Sequence, residues 1–243
     1  MEYAKGIQEA ILPSFNALKS VFTNAYLFYR PSNVVSGDFY WVEMVGSKVV
    51  LVLADGTGHG VPGAFLSVLG TGLLRQIISE EKICEPDEIL TLLNKKVKEG
   101  LGQSRLNNTL KDGMDVAVSV WDKASRQLTF SGAKRSMLLK HAEEVKLIKG
   151  DRFSIGGDQQ HEPDFTVHRF SADEGDSFVF FTDGIVDQFG GPEGKKFLSK
   201  RLVELLEKGK GINAFVGDFD RIMTEWLGEQ EQLDDMLLLA VEL

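Results

Sequence analysis

With 27 basic and 36 acidic residues among 243, the chain has a formal net charge of −9, which argues against nucleic acid as its main partner. Hydrophobic residues make up 43% and charged residues 26%, as in an ordinary globular protein, and no apolar run approaches the ~20 residues of a membrane span. The one cysteine, Cys84, excludes an internal disulfide and a thiolate metal site. With no basic-then-apolar leader, these features predict a cytoplasmic protein segment without membrane contact.

Residues 1–22 are predicted to be an N-terminal helix and linker, and residues 23–243 the main domain. Apolar residues recur at helical spacing from Ala4 to Ile11, and Pro13 disfavours helix in the residue before it. About three turns of helix are marginal alone in water. Two interpretations stay open: the helix docks on the domain, or it is the stub of a longer helix that couples an upstream segment to the domain.

Residues 39–45 and 48–55 are predicted to pair as a β-hairpin through the turn Gly46-Ser47. An antiparallel hairpin brings the start of one strand beside the end of its neighbour. Asp38, before the first strand, and Asp55, at the end of the second, are therefore expected at the same edge of the sheet. The alternating glycines after Asp55 free the backbone there, which suits a metal or phosphate site.

The rest of the chain alternates groups of strands with pairs of helices. A polar stretch, residues 101–113, is predicted to be a mobile loop, and it is a candidate for a flap that either faces a ligand or regulates the domain. Further strands are expected at 25–29, 116–121, 127–131, 137–140, 145–148, 165–170, 177–182 and 236–241, and helices at 64–78, 86–100, 197–206 and 212–227. Strands in two groups, each followed by a helix pair, predict an α+β domain with two antiparallel sheets face to face and helices outside.

Four aspartates recur at predicted strand ends, each beside glycine or a second carboxylate: Asp38, Asp55, Asp183 and Asp234. Mg²⁺ and Mn²⁺ prefer carboxylate and carbonyl oxygens, and carboxylates this close cannot all stay ionised without cations. Two metals ~3.5–4 Å apart can activate a water and clamp the oxygens of a phosphoryl displacement. The alternative is that each aspartate only ends a strand, as aspartate commonly does.

Five motifs, in this order, carry a resemblance to a known family. They are V-S-G-D-F-Y-W at 35–41, A-D-G-T-G-H-G-V-P at 54–62, F-S-G-A at 130–133, F-T-D-G-I at 181–185 and D-D-M at 234–236. The chain resembles the PPM (type 2C-like) metal-dependent serine/threonine protein phosphatases, in particular their bacterial sporulation-stage-II-E (SpoIIE) branch. The resemblance implies a four-layer α-β-β-α sandwich with a binuclear Mn²⁺ or Mg²⁺ centre at one edge of the sheets.

The resemblance also implies roles for the motif residues. Asp55 bridges both metals, the Gly56 carbonyl binds one, Asp183 and Asp234 hold the other, and Asp38 contacts the cluster directly or through water. The alignment favours Asp234 over its neighbour as the ligand. The candidates of lower rank are Asp235, as a supporting residue, and Asp112, at a third, weaker metal site.

In two places the chain departs from the wider family. Thr57 stands where many relatives have a histidine, so His59 is expected either to act as a general acid or to cap the glycine loop. The phosphate-binding arginine of eukaryotic relatives has no motif match, and Arg30 is a candidate by position alone. The other histidines, His141, His161 and His168, lack metal-ligand spacing.

The resemblance implies hydrolysis of phosphoserine and phosphothreonine on a bacterial signalling protein, and within this branch it implies a phosphorylated small anti-sigma-factor antagonist domain as the substrate. In this branch the N-terminal helix commonly couples an upstream sensor to the metal site, often as a homodimer. A catalytically silent phosphatase-fold module that signals by contact is the alternative function. A dinucleotide site at the G-x-G-x-x-G match, residues 58–63, fails because no second parallel strand with an acidic residue follows.

Overall fold

The structure is a computed structural model that describes residues 2–103, 109–142, 144–157, 162–208 and 212–243. The strands are β1 Asn24–Arg30, β2 Asp38–Val45, β3 Lys48–Gly56, β4 Gly113–Asp122, β5 Gln127–Ala133, β6 Met137–His141, β7 Glu144–Ile148, β8 Ile155–Gly156, β9 His168–Ser171, β10 Ser177–Phe181, β11 Phe189–Gly190, β12 Lys195–Lys196 and β13 Met236–Glu242. The helices are α1 Glu2–Ile11, α2 Phe15–Val21, α3 Gly60–Leu74, α4 Pro86–Gly100, α5 Asp183–Val186, α6 Leu198–Lys208 and α7 Ile212–Leu227.

Two antiparallel sheets form the two inner layers. One has the strand order β1-β13-β10-β6-β7, and the other has the order β2-β3-β4-β5-β9 with β8 paired to β4. Helices α3 and α4 pack on the outer face of the second sheet, and α6 and α7 pack on that of the first. The predicted α+β class and four-layer α-β-β-α sandwich are therefore confirmed.

Strand β3 is buried on both of its faces. Its alternate residues Val49, Leu51 and Leu53 lie in the core between the sheets, whereas Val50 and Val52 pack towards the outer helices. A strand covered on both faces reads as a continuous apolar run rather than an alternating one. The apolar run therefore places β3 at the centre of the layers.

The predicted hairpin is confirmed, with Val45 opposite Lys48 across the two-residue turn. Gly46 has φ +62°, a left-handed conformation that glycine adopts without the cost of a Cβ. Because the turn fixes the register, every later pair follows from it, down to Asp38 opposite Asp55.

The N-terminal segment contains two helices rather than one helix and a linker. After Pro13 the chain forms α2, whose Leu18 is fully buried in the core between the sheets, together with Phe22 just beyond the helix. The predicted loop at 101–113 lies partly outside the described residues, at 104–108, as does His161.

One helical stretch, Gly60–Glu80, is long and apolar enough to cross a membrane by length and composition alone, with a mean hydropathy of 1.4. It comprises α3 and a π-helical continuation, Arg75–Glu80. The expectation that no apolar run approaches that length was therefore wrong. Leu74, Ile77 and Ile78 of this stretch are fully buried against the second sheet, which makes it a core helix.

Replacing Leu51 by alanine is expected to lower the free energy of unfolding by about 3 kcal/mol, because it opens a cavity at the centre of the sandwich. Urea denaturation followed by circular dichroism measures this change. Met44→Ala, in the same hairpin but at a side chain 57% exposed, is the matched control and should change stability by less than about 0.5 kcal/mol. Equal losses in the two variants would contradict the layer assignment.

Candidate metal centre

Three aspartates meet at one edge of the second sheet. Asp38 lies opposite Asp55 in the β2–β3 pair, and Asp55 lies opposite Asp115 in the β3–β4 pair. Residues directly opposite one another point to the same face of a sheet. The alternation that puts Leu53 and Ala117 in the core between the sheets therefore directs these three carboxylates to the end of that core.

Two more aspartates arrive from the first sheet. Thr182, at the end of β10, donates its backbone N–H to the Leu237 carbonyl (3.0 Å), and its hydroxyl accepts the Leu237 N–H (3.0 Å). This pairing holds Asp183, the next residue, beside Asp234, and both line one cavity of about 160 Å³. Gly184 permits the close approach, since a Cβ there would collide with the carbonyl of Asp235.

Arg135, in the turn between β5 and β6, joins the two groups. Its Nη2 donates to Asp115 Oδ2 (3.0 Å) and to Asp183 Oδ2 (2.7 Å). The same nitrogen lies 3.0 Å from Asp55 Oδ2, but its two hydrogens are already directed at the other carboxylates. The guanidinium is 11% exposed, so it is a largely buried positive charge among three negative ones.

Two carboxylate oxygens at this edge are buried without a hydrogen-bond donor among the described residues: Asp38 Oδ2 and Asp55 Oδ2. A buried ionised oxygen without a donor is costly unless a cation contacts it. Asp55 Oδ2 has the Arg135 guanidinium at 3.0 Å, which also neighbours two other carboxylates, and Asp38 Oδ2 has no cation in contact among the described residues. Carboxylate oxygens are also the ligands that hard divalent cations prefer. The residues present therefore fit a divalent metal centre.

The carboxylates perturb one another's protonation. Burial, and then the charge of Asp55, hold the pKa of Asp38 well above its ordinary value. Burial also raises the pKa of Asp55 well above the usual range, since the attraction of Arg135 offsets it only in part. For Asp183 burial acts upwards too, but the charge of Arg135 and its hydrogen bond prevail and lower the pKa.

The neighbours Asp234 and Asp235 differ in what their carboxylates contact. Asp235 is buried and accepts the N–H (2.7 Å) and hydroxyl (3.0 Å) of Ser32 on Oδ1 and the N–H of Gly37 (2.7 Å) on Oδ2. Asp234 is exposed, and from the part of the chain that the structure describes its carboxylate accepts only the N–H of Asp235 (2.8 Å). Asp235 thus fixes the loop before β2, and Asp234 retains oxygens for a ligand.

That loop also holds the glycine backbone after Asp55. Gly56 donates its N–H to the Gly37 carbonyl (3.2 Å). A Cβ on Gly37 would lie 2.8 Å from the carbonyl oxygens of both Gly56 and Gly58, so only glycine fits there. The backbone at the predicted carbonyl ligand is therefore tightly packed.

Helix α1 is connected to this loop through Gln8, which is buried. Its Nε2 donates to the Ser36 carbonyl (2.6 Å) and to Ser67 Oγ (2.7 Å), and its Oε1 accepts the Ser36 N–H (3.1 Å). The Ser36 hydroxyl in turn accepts the N–H of Asp38 (3.0 Å). A side chain of the N-terminal helix is therefore two hydrogen bonds from a predicted metal ligand.

Other predicted residues lie less centrally. His59 stands at the N-cap position of α3 but makes no side-chain cap, and its Nδ1 lies 3.0 Å from Asn33 Nδ2. Arg30, the positional candidate for the phosphate-binding arginine, is the last residue of β1. Among the described residues, the arginine that contacts the aspartates is Arg135. Asp112 precedes β4, where Asp115, three residues later, faces Asp55. Asp115 and Arg135 were missed by the sequence reasoning.

A second group of potential ligands lies elsewhere. His141, Asp173 and Asp176 have side-chain ligand atoms within 4.8 Å of one another, a proximity that their spacing in the sequence did not indicate. His141 Nδ1 lies 2.8 Å from Asp176 Oδ2, which already accepts the N–H of Asp173. These residues flank the start of β10, whereas Asp183 follows its end, so this group is separate from the five aspartates.

Comparison with known proteins agrees with the motifs. The family model of Stage II sporulation protein E (SpoIIE) matches residues 46–243. The SiaA-PP2C domain of Pseudomonas aeruginosa is similar with 30% identity and a TM-score of 0.89, over 100% of this chain and 95% of that one. A search of the curated proteins gave no match.

More distant structures share the fold. The PP2C phosphatase domain of SpoIIE from Bacillus subtilis, with a fragment of its regulatory domain, has 20% identity and a TM-score of 0.70, over 90% of this chain and 61% of that one. The RsbU and RsbW domains of a Mycobacterium tuberculosis protein have 21% identity and a TM-score of 0.69, over 90% and 59%.

The fold and the strand-end carboxylates define a PP2C-type serine/threonine protein phosphatase domain, a class of metal-dependent hydrolases. Within that class the chain belongs to the SpoIIE family.

The affinity of the site for Mn²⁺ is expected to fall as the pH is lowered. The fall should begin well above pH 3.8, which is the ordinary pKa of aspartate. Asp38 and Asp55 have raised pKa values, so protons compete with the metal over a higher range than for ordinary carboxylates. Calorimetric titration between about pH 5 and pH 8 measures this dependence. Asp38→Asn should flatten it and Asp218→Asn, on the exposed side of α7, should not; a flat wild-type profile would contradict the prediction.

Proposed function

We propose that the chain hydrolyses phosphoserine and phosphothreonine on a bacterial signalling protein with the help of two divalent cations, Mn²⁺ or Mg²⁺. The observation that carries the proposal is the pair of buried carboxylate oxygens without donors, on Asp38 and Asp55, at an edge where both sheets contribute aspartates. When bound, two such ions supply an activated water and stabilise charge in an in-line displacement at phosphorus.

The charge at the site supports a pair of ions rather than one. Six carboxylates (Asp38, Asp55, Asp115, Asp183, Asp234 and Asp235) against two cations (Arg135 and Lys134) leave a formal charge of −4 when all are ionised. Two unit charges 4 Å apart at the protein surface interact by roughly 4 kcal/mol, so this excess is large. Two divalent cations balance it.

The positions of the residues suggest how they divide the work. Asp55 lies between Asp38 and Asp115 in the sheet and beside Asp183, so its carboxylate would be a ligand for both ions. Asp183 and Asp234, with the Gly56 carbonyl, would complete the ligands, while Asp235 orients the loop. Arg135 holds Asp115 and Asp183 in place and adds positive charge where a phosphoryl group would arrive.

Membership of the SpoIIE family supports a phosphorylated anti-sigma-factor antagonist domain as substrate, and cytoplasmic signal transduction as the setting. A third, weaker ion near Asp112 is part of the same proposal. The alternative function is a catalytically silent module that signals by contact. Such a module would have no use for the carboxylate oxygens of Asp38 and Asp55, whose burial without donors costs stability.

Turnover of an aryl phosphate and of a phosphoserine protein is expected to require Mn²⁺ or Mg²⁺ and to stop with chelator. Asp183→Asn should lower kcat at least 100-fold, roughly the loss on removing one strong electrostatic contact to the transition state. Asp218→Asn is the matched control, because that exposed carboxylate pairs with Arg221 on the surface of α7, away from the aspartates of the site. Neither turnover nor metal binding in the wild type would instead support the silent module, whereas metal binding without turnover would indicate a phosphatase that is inactive until its partner binds.

We also propose that α1 couples an upstream sensor to the metal centre, as part of a homodimer. Gln8 gives the physical connection, since its amide holds Ser36 two residues before Asp38. Beside it, Tyr3, Ile7 and Phe65 are exposed apolar side chains on α1 and α3, which is the kind of surface that a second chain covers. Restoring upstream sequence should change turnover or dimerisation, and no change in either would contradict the coupling.

Gln8→Ala is expected to weaken Mn²⁺ binding by up to about 10-fold, because the Ser36 N–H and carbonyl lose their buried partner and the loop before Asp38 loosens. Isothermal titration calorimetry gives the dissociation constant. The adjacent Glu9→Ala, at an exposed position of the same helix, is the control and should bind as the wild type does. Unchanged affinity in Gln8→Ala would show that α1 does not act on the site.

A further inference from the structure

A basic cleft of about 360 Å³ opens beside the metal centre. Its cationic lining residues are Lys111, Lys134 and Arg152, and no carboxylate lies among the described residues that line it. In a chain with a formal net charge of −9, such a local excess of positive charge is unusual. It points to an anionic ligand.

The cleft and the aspartates share two chain segments. Thr57, a lining residue, directly follows Gly56, and Lys134 directly precedes Arg135. The Lys134 Nζ lies 3.8 Å from Asp115 Oδ1. A ligand in the cleft would therefore continue into the place where the phosphoryl group is cleaved.

The walls of the cleft are held together by backbone hydrogen bonds. Thr57 donates its N–H to the Gly113 carbonyl (2.8 Å), and Gly113 pairs with Gly156 of β8. Lys134 donates its N–H to the Asp151 carbonyl (2.7 Å). These bonds fix the segments relative to one another before any ligand binds, which lowers the entropic cost of binding.

The backbone of Lys134 and the exposure of Arg152 distinguish these two lining cations. Lys134 has φ +57°, a left-handed conformation that costs a residue with a Cβ of order 1 kcal/mol and often marks functional positions. Arg152 is exposed and makes no ion pair among the described residues. Next to it, Phe153 is a large apolar side chain left 39% exposed.

We propose that this basic cleft binds acidic side chains next to the phosphorylated residue of the substrate, so that the enzyme prefers phosphoserine in an acidic sequence. The proposal rests on the phosphatase function above and adds the substrate class. Lys134 and Arg152 would pair with the carboxylates, and Phe153 would contact the apolar part of the peptide. Charge complementarity of this kind gives specificity and faster association more than raw affinity.

The test compares two labelled phosphoserine peptides of equal length, one with aspartate and the other with asparagine beside the phosphoserine. For binding, the phosphoserine of both peptides is replaced by its non-hydrolysable phosphonate analogue, and fluorescence anisotropy measures the affinity of the wild type loaded with Mn²⁺. Hydrolysis of the phosphoserine peptides is measured separately, also with Mn²⁺. The wild type should bind the acidic peptide about 10-fold more tightly, and this preference should vanish near 1 M salt, where charges are screened within about 3 Å.

Arg152→Gln should reduce the preference by about 5-fold, and the double variant with Lys134→Gln should abolish it. Lys200→Gln, at an exposed lysine of α6 on the far layer, should retain it. An equal preference in the wild type and the double variant, or none in the wild type, would overturn the proposal. Because binding is measured without turnover, absent hydrolysis of both peptides and of an aryl phosphate would reject the phosphatase function alone.

Discussion

Repulsion among carboxylates at one edge of the sandwich is the constraint on which the rest of the site depends. Asp38, Asp55 and Asp115 are brought together by strand register alone, and Asp183 joins them from the opposite sheet. One buried guanidinium, that of Arg135, offsets part of their charge. Concentrating negative charge in this way lowers the stability of the fold, and bound cations would offset that loss.

The fold meets this cost by fixing the surrounding backbone. Asp235 uses both of its oxygens to hold the loop before β2, and Gly37 in that loop contacts the glycine turn after Asp55. Gln8 then connects the same loop to the N-terminal helix. The Ser36 hydroxyl accepts the N–H of Asp38, so hydrogen bonds run without a break from α1 to Asp38, and the proposed coupling of α1 to the site would use this route.

Much of this arrangement was predictable from local patterns. The hairpin turn at Gly46 fixes the register of neighbouring strands, so the pairing of Asp38 with Asp55 followed from the sequence. The apolar run of β3 and the glycine after each aspartate were equally local signals. The fold class followed because two groups of strands were each followed by a pair of helices.

Asp115 and Arg135 could not be predicted in the same way. Asp115 faces Asp55 across the pair of β3 and β4, which are separated in sequence by α3 and α4, so no turn fixes that register in advance. The available signal was a carboxylate at the start of a predicted strand, in Gly113-Met114-Asp115. Arg135 lies in a turn, and its contacts depend on how the two sheets meet, which no local pattern specifies.

Anomalous diffraction at the manganese edge, from crystals grown with Mn²⁺, tests the central claim most directly. The account predicts two peaks at the edge shared by the sheets, with Asp55 touching both, and Asp183 and Asp234 touching one. Peaks at His141, Asp173 and Asp176 alone, or none near Asp55, would contradict it.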